Sequence, residues 1–223
     1  MTTILKNFNK NPNVGLYCFA NDKYCLAGLE VKEEDVKELE RVLEVPVHRL
    51  NIAGTSLLGV FIVGNDEKIL IPNITFEHEL EELKKLKIKF EVLKSKHTCL
   101  GNNIVLSKHG ALVNNTFSDV EIKKIKEYFK VPVKRIEIAD TETPGSDIIV
   151  NNGKSIIHKD ASVENLKLIK KVLKIEVLKG TINMGSPYVK SGLLCNSNGL
   201  VIGDASGPAE VMNAEEGLGF INV

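Results

Sequence analysis

The chain has 223 residues, 43% of them apolar, enough to bury a full core. Lys plus Arg and Asp plus Glu number 29 each, so the formal net charge is zero; a broad polyanion-binding surface is not indicated and any nucleic-acid contact has to be local. No apolar run reaches the roughly eighteen residues of a membrane-spanning helix, and residues 1–6 lack a signal-peptide core, so the expectation is a soluble, cytoplasmic protein.

In chain order, Thr2–Lys6 reads as a first strand. Val36, Leu39, Val42 and Leu43, spaced 3, 3 and 1, predict an amphipathic helix, and residues 47–52 predict the strand after it. Residues 60–63 and 69–71 flank Gly64-Asn65-Asp66 as a β-hairpin. The run over residues 81–89, continuing to Lys94 and Lys96, reads as a solvated helix face, because Glu77, Glu79, Glu81 and Glu82 offset its lysines. A strand over 88–93 follows. Ile122, Ile125, Tyr128 and Phe129 repeat the 3, 3, 1 spacing, with Ser118 and Glu121 placed as a capping box, and residues 133–138 give the next strand. Residues 148–150 and 155–157 form a hairpin across Asn151-Asn152-Gly153. A third helix with the same spacing uses Leu166, Ile169, Val172 and Leu173, and residues 175–178 close that unit. The last hairpin joins Leu193–Cys195 to residues 200–202 around Asn196-Ser197-Asn198-Gly199, since Asn-Gly is favoured where both turn residues need φ > 0. Pro208 suits the first turn of a final helix, leaving residues 220–223 beyond it.

The elements are one motif written five times. Glycines at Gly15, Gly59, Gly101, Gly145 and Gly185 recur 44, 42, 44 and 40 residues apart, and Thr55, Thr98, Thr141 and Thr181 precede four of them. Phrases return as well: Val45-Pro46-Val47 as Val131-Pro132-Val133, and Leu50-Asn51-Ile52-Ala53 as Ile136-Glu137-Ile138-Ala139. The units, approximately 1–54, 55–97, 98–140, 141–180 and 181–223, follow without a linker and predict a single domain. A unit of hairpin, helix and strand leaves raw strand edges at both ends of an open stack, and radial closure removes them. The N-terminal strand is the piece available to pair with the last unit and seal the ring.

Four segments carry a family resemblance: Thr181-Ile-Asn-Met-Gly-Ser186, Gly192-Leu-Leu-Cys-Asn196, Gly199-Leu-Val-Ile-Gly-Asp204 and Glu215-Glu-Gly-Leu-Gly-Phe220. With Ile52-Ala-Gly-Thr-Ser-Leu-Leu-Gly59, Leu100-Gly-Asn102 and Gly110-Ala-Leu-Val113, the chain resembles the translation initiation factor 6 family across all five units. The resemblance implies the pentein fold, an α/β architecture in which a closed five-bladed β/α propeller surrounds a central channel. It implies no catalysis and no cofactor. The family binds the intersubunit (joining) face of the large (50S) ribosomal subunit near the sarcin-ricin loop, sterically prevents joining of the small subunit, and acts late in large-subunit maturation. Absence of a long tail after Val223 makes the archaeal type the expectation, and a monomer is expected because ring closure within one chain covers its own edges. Three places depart from the family: Leu106-Ser-Lys-His109 replaces an Asn-Asp turn, residues 209–214 make an atypical fifth helix, and Val60 stands where several relatives carry a basic side chain.

Loops presented by a rigid scaffold are the usual seat of binding. The candidates at one end of the ring are Ser56, Leu58, Val60, Asn102, Asn103, Ser146, Asp147, Met184 and Ser186, and the resemblance assigns this end to the ribosome. Cys18, Cys25, Cys99 and Cys195 show no CxxC spacing and read as reduced, buried thiols. His48, His78, His97, His109 and His158 lie far apart, without metal-ligand spacing. The competing expectation is a pentein guanidino-group hydrolase with Cys195 as nucleophile; His158 is set against it, since it follows Ile156-Ile157 at a strand end rather than standing beside an acidic partner.

Overall fold

A computed structural model describes residues 2–221. The strand β1 (Thr2–Lys6) precedes a first unit of α1 (Val14–Tyr17), β2 (Cys18–Ala20), β3 (Cys25–Gly28), α2 (Glu33–Leu43) and β4 (Val47–Leu50). The second unit is α3 (Leu58–Phe61), β5 (Val63–Gly64), β6 (Ile69–Pro72), α4 (Glu77–Lys85) and β7 (Phe90–Leu93). The third is α5 (Leu100–Asn103), β8 (Ile104–Leu106), β9 (Ala111–Asn114), α6 (Asp119–Phe129) and β10 (Val133–Ile136). The fourth is α7 (Pro144–Asp147), β11 (Ile148–Asn151), β12 (Lys154–His158), α8 (Val163–Leu173) and β13 (Leu178–Gly180). The fifth has a 3-10 turn over Val189–Gly192, then β14 (Leu193–Cys195), β15 (Gly199–Gly203) and α9 (Pro208–Leu218).

Each unit makes one three-stranded sheet: an antiparallel hairpin whose second strand pairs in parallel with the strand after the long helix. Among the described residues the fifth unit has no such last strand. β1 supplies it, pairing with β15 from Thr2↔Gly199 to Lys6↔Gly203, so the N-terminal strand closes the ring as expected. The apolar clusters lie at the seams between units. α2 packs on β15 of the fifth sheet, α8 on β9 of the third and α9 on β12 of the fourth. Each helix thus buries its stripe against the preceding neighbour, which is the physical reason a single unit has no core of its own.

The local rules behind the helices hold. Ser118 accepts from Glu121 N–H at 3.3 Å while the Glu121 carboxylate takes Ser118 N–H at 2.7 Å, and Pro208 is the first residue of α9. Asn152 and Gly153 take φ of 45° and 81°, the two left-handed residues a tight hairpin needs. The 196–199 turn differs, because Gly199 already belongs to β15. Three other expectations need correction. Val60 and Phe61 are not strand but the end of α3, the closing strand of the fourth unit is Leu178–Gly180 rather than 175–178, and Gly185 is not the fifth member of the glycine series.

That series is structural. The second residues of the one-turn helices, Gly15, Gly59, Gly101 and Gly145, surround the central axis, and the position is completed by Lys190, 45 residues after Gly145. A Cβ on Gly59 would stand closer than 3.0 Å to Gly15 O and 2.7 Å from Cys18 O, so the backbones of neighbouring units meet where a side chain would be. Gly185 sits instead in an enlarged surface turn at φ 95°, with open space around it.

Candidate functional site

The ring has two chemically different ends. Each long helix follows a strand returning from a hairpin, so helix N-termini and the one-turn helices share one end, called here the ring end. Hairpin turns and helix C-termini share the other, the turn end: Ser107 Oγ reaches Leu173 O at 2.9 Å and Asn196 Nδ2 reaches Leu43 O at 2.7 Å. Carboxylates favour first turns and cations last turns because of the peptide dipole. Asp35, Glu79, Glu121 and Glu210 accordingly stand at the ring end, and Arg41, Lys85, Lys126 and Lys171 at the other. Both ends also carry the opposite sign, with Lys94 and Lys96 beside the start of α6 and Asp22 and Asp66 on the hairpin turns.

At the ring end, small turns link each unit to the next. Phe8 bridges Asn11, Ile52 bridges Thr55, Ile138 bridges Thr141 and Ile182 bridges Ser186. Their inner residues are left-handed, including Ala53, Ala139 and Met184 at φ of 55°, 49° and 64°, a conformation that costs about 1–3 kcal/mol for such residues unless the surroundings hold it. Two carboxylates, buried Glu79 and half-buried Glu210, hold two of these turns. Glu79 accepts Ala53 N–H and Gly54 N–H at 2.8 Å each while capping Phe76 N–H at 2.9 Å. Glu210 does the same for Gly185 N–H at 2.8 Å, Met184 N–H at 3.1 Å and Gly207 N–H at 3.0 Å. Burial alone would raise the Glu210 carboxyl; the bonds from Thr181 and these backbone groups outweigh it and hold the carboxyl below its ordinary value. Each acid ties a helix start to a neighbouring turn, so the turns are rigid. Met184 stands on one of them with 86% of its surface exposed, and the exposed ring of Tyr188, just after the same turn, sits edge-on to His158.

The nine candidates divide by burial. Met184 is exposed, and Asn102, Ser146 and Ser186 are half-buried at the ring end. Ser56, Leu58, Val60, Asn103 and Asp147 are buried. Leu58 belongs to the core between the first two units. Ser56 Oγ accepts Glu30 N–H at 3.2 Å, and Asn103 donates to Cys99 O at 2.8 Å while accepting from Asn114 Nδ2 at 3.0 Å. Leu58 and Val60, Asn103, and Asp147 lie in the one-turn helices of three units, which turn them inward; for Val60 a strand reading of residues 60–63 could not reveal this.

Asp147 occupies in the fourth unit the place of Asn103 in the third. It is fully buried, one oxygen accepts the Thr141 hydroxyl, and the other has no partner. Burial pushes its carboxyl up to about 6, against 3.8 ordinarily. Between those values the folded chain holds a proton that the unfolded chain has lost, so this group's contribution to stability falls as pH rises from about 4 to 6 and stays low above. Asp147→Asn removes the charge and supplies an amide like that of Asn103. Urea melts are expected to show the variant more stable by about 2 kcal/mol at pH 7.5, with the gain fading at pH 4.

Sequence reasoning missed Lys190. Its Nζ donates to Gly101 O at 2.7 Å and Gly59 O at 3.3 Å across the axis, and burial pushes its ammonium down to about 8. The signal was available as a 45-residue interval after Gly145, hidden by the nearer Gly185. Lys190 lines one end of a central cavity of about 130 Å³ whose wall, made by all five units, includes Cys195. Burial, with Asp22 nearby, pushes the Cys195 thiol up to about 12, the reverse of what activates a nucleophile. His158 ends β12 at the ring end and Cys195 ends β14 at the turn end, so the two do not meet. Among the described residues no disulfide forms and no group of three His, Cys, Asp or Glu side chains could hold a metal. No helix among them is long and apolar enough to cross a membrane.

The family model for the eIF-6 family matches residues 4–217. The chain is 32% identical over 221 residues to translation initiation factor 6 of Pyrococcus horikoshii, covering 96% of this chain and 97% of that one. Among solved structures it resembles an amidinotransferase of saxitoxin biosynthesis from Microseira wollei, with a TM-score of 0.55 and 10% identity over 84% of this chain and 70% of that one. It also resembles a dimethylarginine dimethylaminohydrolase adduct with S-methyl-L-thiocitrulline, with a TM-score of 0.52 and 15% identity over 79% and 69%. At these identities the structural likeness shows the pentein fold alone.

Proposed function

The chain belongs to the eIF-6 family, and on that premise we propose that it binds the large ribosomal subunit on its intersubunit face and sterically blocks the small subunit. The observation that carries the reading is the ring end itself: Met184 and Tyr188 stand out on a backbone clamped by Glu210, with half-buried Asn102, Ser146 and Ser186 around the axis. A clamped backbone spares the cost of ordering a loop on docking, and exposed apolar side chains such as these suit the core of a protein interface. The carboxylates at the surrounding helix starts favour ribosomal protein over RNA as the surface met there. An ordinary interface of about 1,600 Å² supplies enough area for a stable wedge. A role in late large-subunit maturation uses the same docked state, and the protein acts in the cytoplasm.

Co-sedimentation tests the reading directly. The protein is expected to pellet with purified large subunits and not with small ones; absence from the large-subunit pellet would overturn it.

The same reading makes the chain a non-enzyme, for which the perturbed Cys195 thiol is the support. Cys195→Ala is expected to cost about 1 kcal/mol of stability and to leave subunit binding unchanged. Hydrolysis of arginine-like substrates by the wild type, lost in that variant, would instead support the hydrolase alternative.

A further inference from the structure

The hairpins surround a channel that runs inward to Lys190. An outer chamber of about 350 Å³ at the turn end and the inner cavity of about 130 Å³ share Ala20, Gly64, Leu106, Val150 and Cys195, one residue from each unit, so the two form a single path. The outer chamber is polar and carries both signs, with Asp22 and Asp66 lining it together with Lys108 and His109. Both acids are engaged there: Asp22 accepts the Ser197 N–H at 2.8 Å and the Ser197 hydroxyl, and Asp66 accepts the Asp22 N–H at 3.0 Å. The inner chamber is different. Apolar side chains such as Ile62, Ile104, Ile148 and Leu193 make its wall, and among the described residues that line it Lys190 is the one charged group. Burial holds the Cys18 and Cys195 thiols in their neutral form, so neither supplies a counter-charge.

An ammonium in an apolar-walled chamber is costly unless an anion pairs with it. Lys190 Nζ has three protons for two acceptors, Gly101 O at 2.7 Å and Gly59 O at 3.3 Å, and it forms no ion pair among the described residues. Burial lowers it only to about 8, so at pH 7 most molecules hold the positive charge without a counter-ion. The fold does not require this cation, because the same position is glycine in the other four units. A residue that departs from the repeat at such a cost points to a ligand rather than to packing.

We propose that the inner chamber binds a small monocarboxylate, its carboxylate on the Lys190 ammonium and its short hydrocarbon tail against Ile62, Ile104 and Ile148. One ammonium matches one negative charge, so phosphates and dicarboxylates bring charge that the chamber leaves unpaired. An inorganic anion is desolvated on every side by the apolar wall, whereas a carboxylate carries its charge at one end and presents hydrocarbon to the rest. The site is reached from the turn end and does not depend on the ring-end docking proposed above.

Isothermal titration of the full-length protein with sodium butyrate at pH 7, with methyl NMR of the isoleucines, tests the assignment. Saturable binding at millimolar concentration or below is expected, with shifts at the Ile62, Ile104 and Ile148 methyls. Butyramide, the neutral isostere, is expected to bind about tenfold or more weakly, and Lys190→Met, of similar length without the charge, to lose butyrate affinity by at least as much. Lys190→Met also removes the bonds to the Gly59 and Gly101 carbonyls. Ala20→Leu, which narrows the passage between the chambers and keeps the ammonium, serves if that variant fails to fold by circular dichroism, and it too is expected to lose butyrate. No saturable binding by the wild type, equal affinity for butyramide, methyl shifts away from the chamber, or undiminished binding by the folded variants would each overturn the proposal. Co-sedimentation with large subunits reads the ring end and leaves this result untouched.

Discussion

Gly59→Ala is expected to destabilise the protein by about 4 kcal/mol or more and to lower Tm by on the order of 10 °C. The added Cβ meets carbonyl oxygens of Gly15 and Cys18, both backbone atoms of the preceding unit, so no side chain can rotate away. Relief requires units one and two to separate. The same movement opens the apolar seam that contains Leu26, Leu58 and Ile62, so overpacking and loss of burial act together. Gly207→Ala is the control: a Cβ there meets nothing within 4 Å, and its cost is expected to stay near that of an ordinary helix-cap change, below about 1 kcal/mol. Urea denaturation of both variants followed by circular dichroism decides the matter. Equal midpoints would mean that the glycines are not the contact points of the ring.

The period of those glycines was legible because close backbone contact demands the same residue in each unit. It broke down in the fifth unit for a physical reason. There the turn between Ile182 and Ser186 is one residue longer and needs a left-handed Gly185, while the axis position accepts a lysine whose side chain runs into the channel to the Gly59 and Gly101 carbonyls. Helix stripes and the capping box of Ser118 could be read because they depend on residues three or four apart. The clamps of Glu79 and Glu210 could not, since each reaches a turn some 25 residues earlier in the chain. Val60 and Phe61 misled because a short apolar run fits a strand or a single helical turn equally well. That ambiguity left Val60 on the imagined surface, whereas Asn103 and Asp147 are buried as the last residues of one-turn helices that no local pattern announced, and Met184 stayed outside on its enlarged turn.

A sucrose gradient of mixed archaeal subunits is expected to lose its 70S peak when the wild-type protein is added at saturation, with the protein migrating with the large subunit. Asn102→Glu is expected to restore that peak at intermediate concentrations. Asn102 is the third residue of α5, half-buried beside the axis, and its backbone N–H already closes the turn onto Cys99 O at 3.1 Å, so the substitution changes the presented surface without unmaking the turn. A carboxylate in a docked contact has to be desolvated, and the nearby Lys190 ammonium is already committed to the Gly101 and Gly59 carbonyls. The expected loss is about 1–2 kcal/mol, or roughly five- to thirty-fold in Kd. Glu127→Gln, on the solvated face of α6, is expected to behave as wild type. Binding and blocking are separable in this assay: a 70S peak undiminished at saturating wild-type protein would sink the anti-association reading even with the large subunit fully occupied. Equal potency of Asn102→Glu and wild type would instead leave the block standing and move the docking surface away from the axis of the ring end.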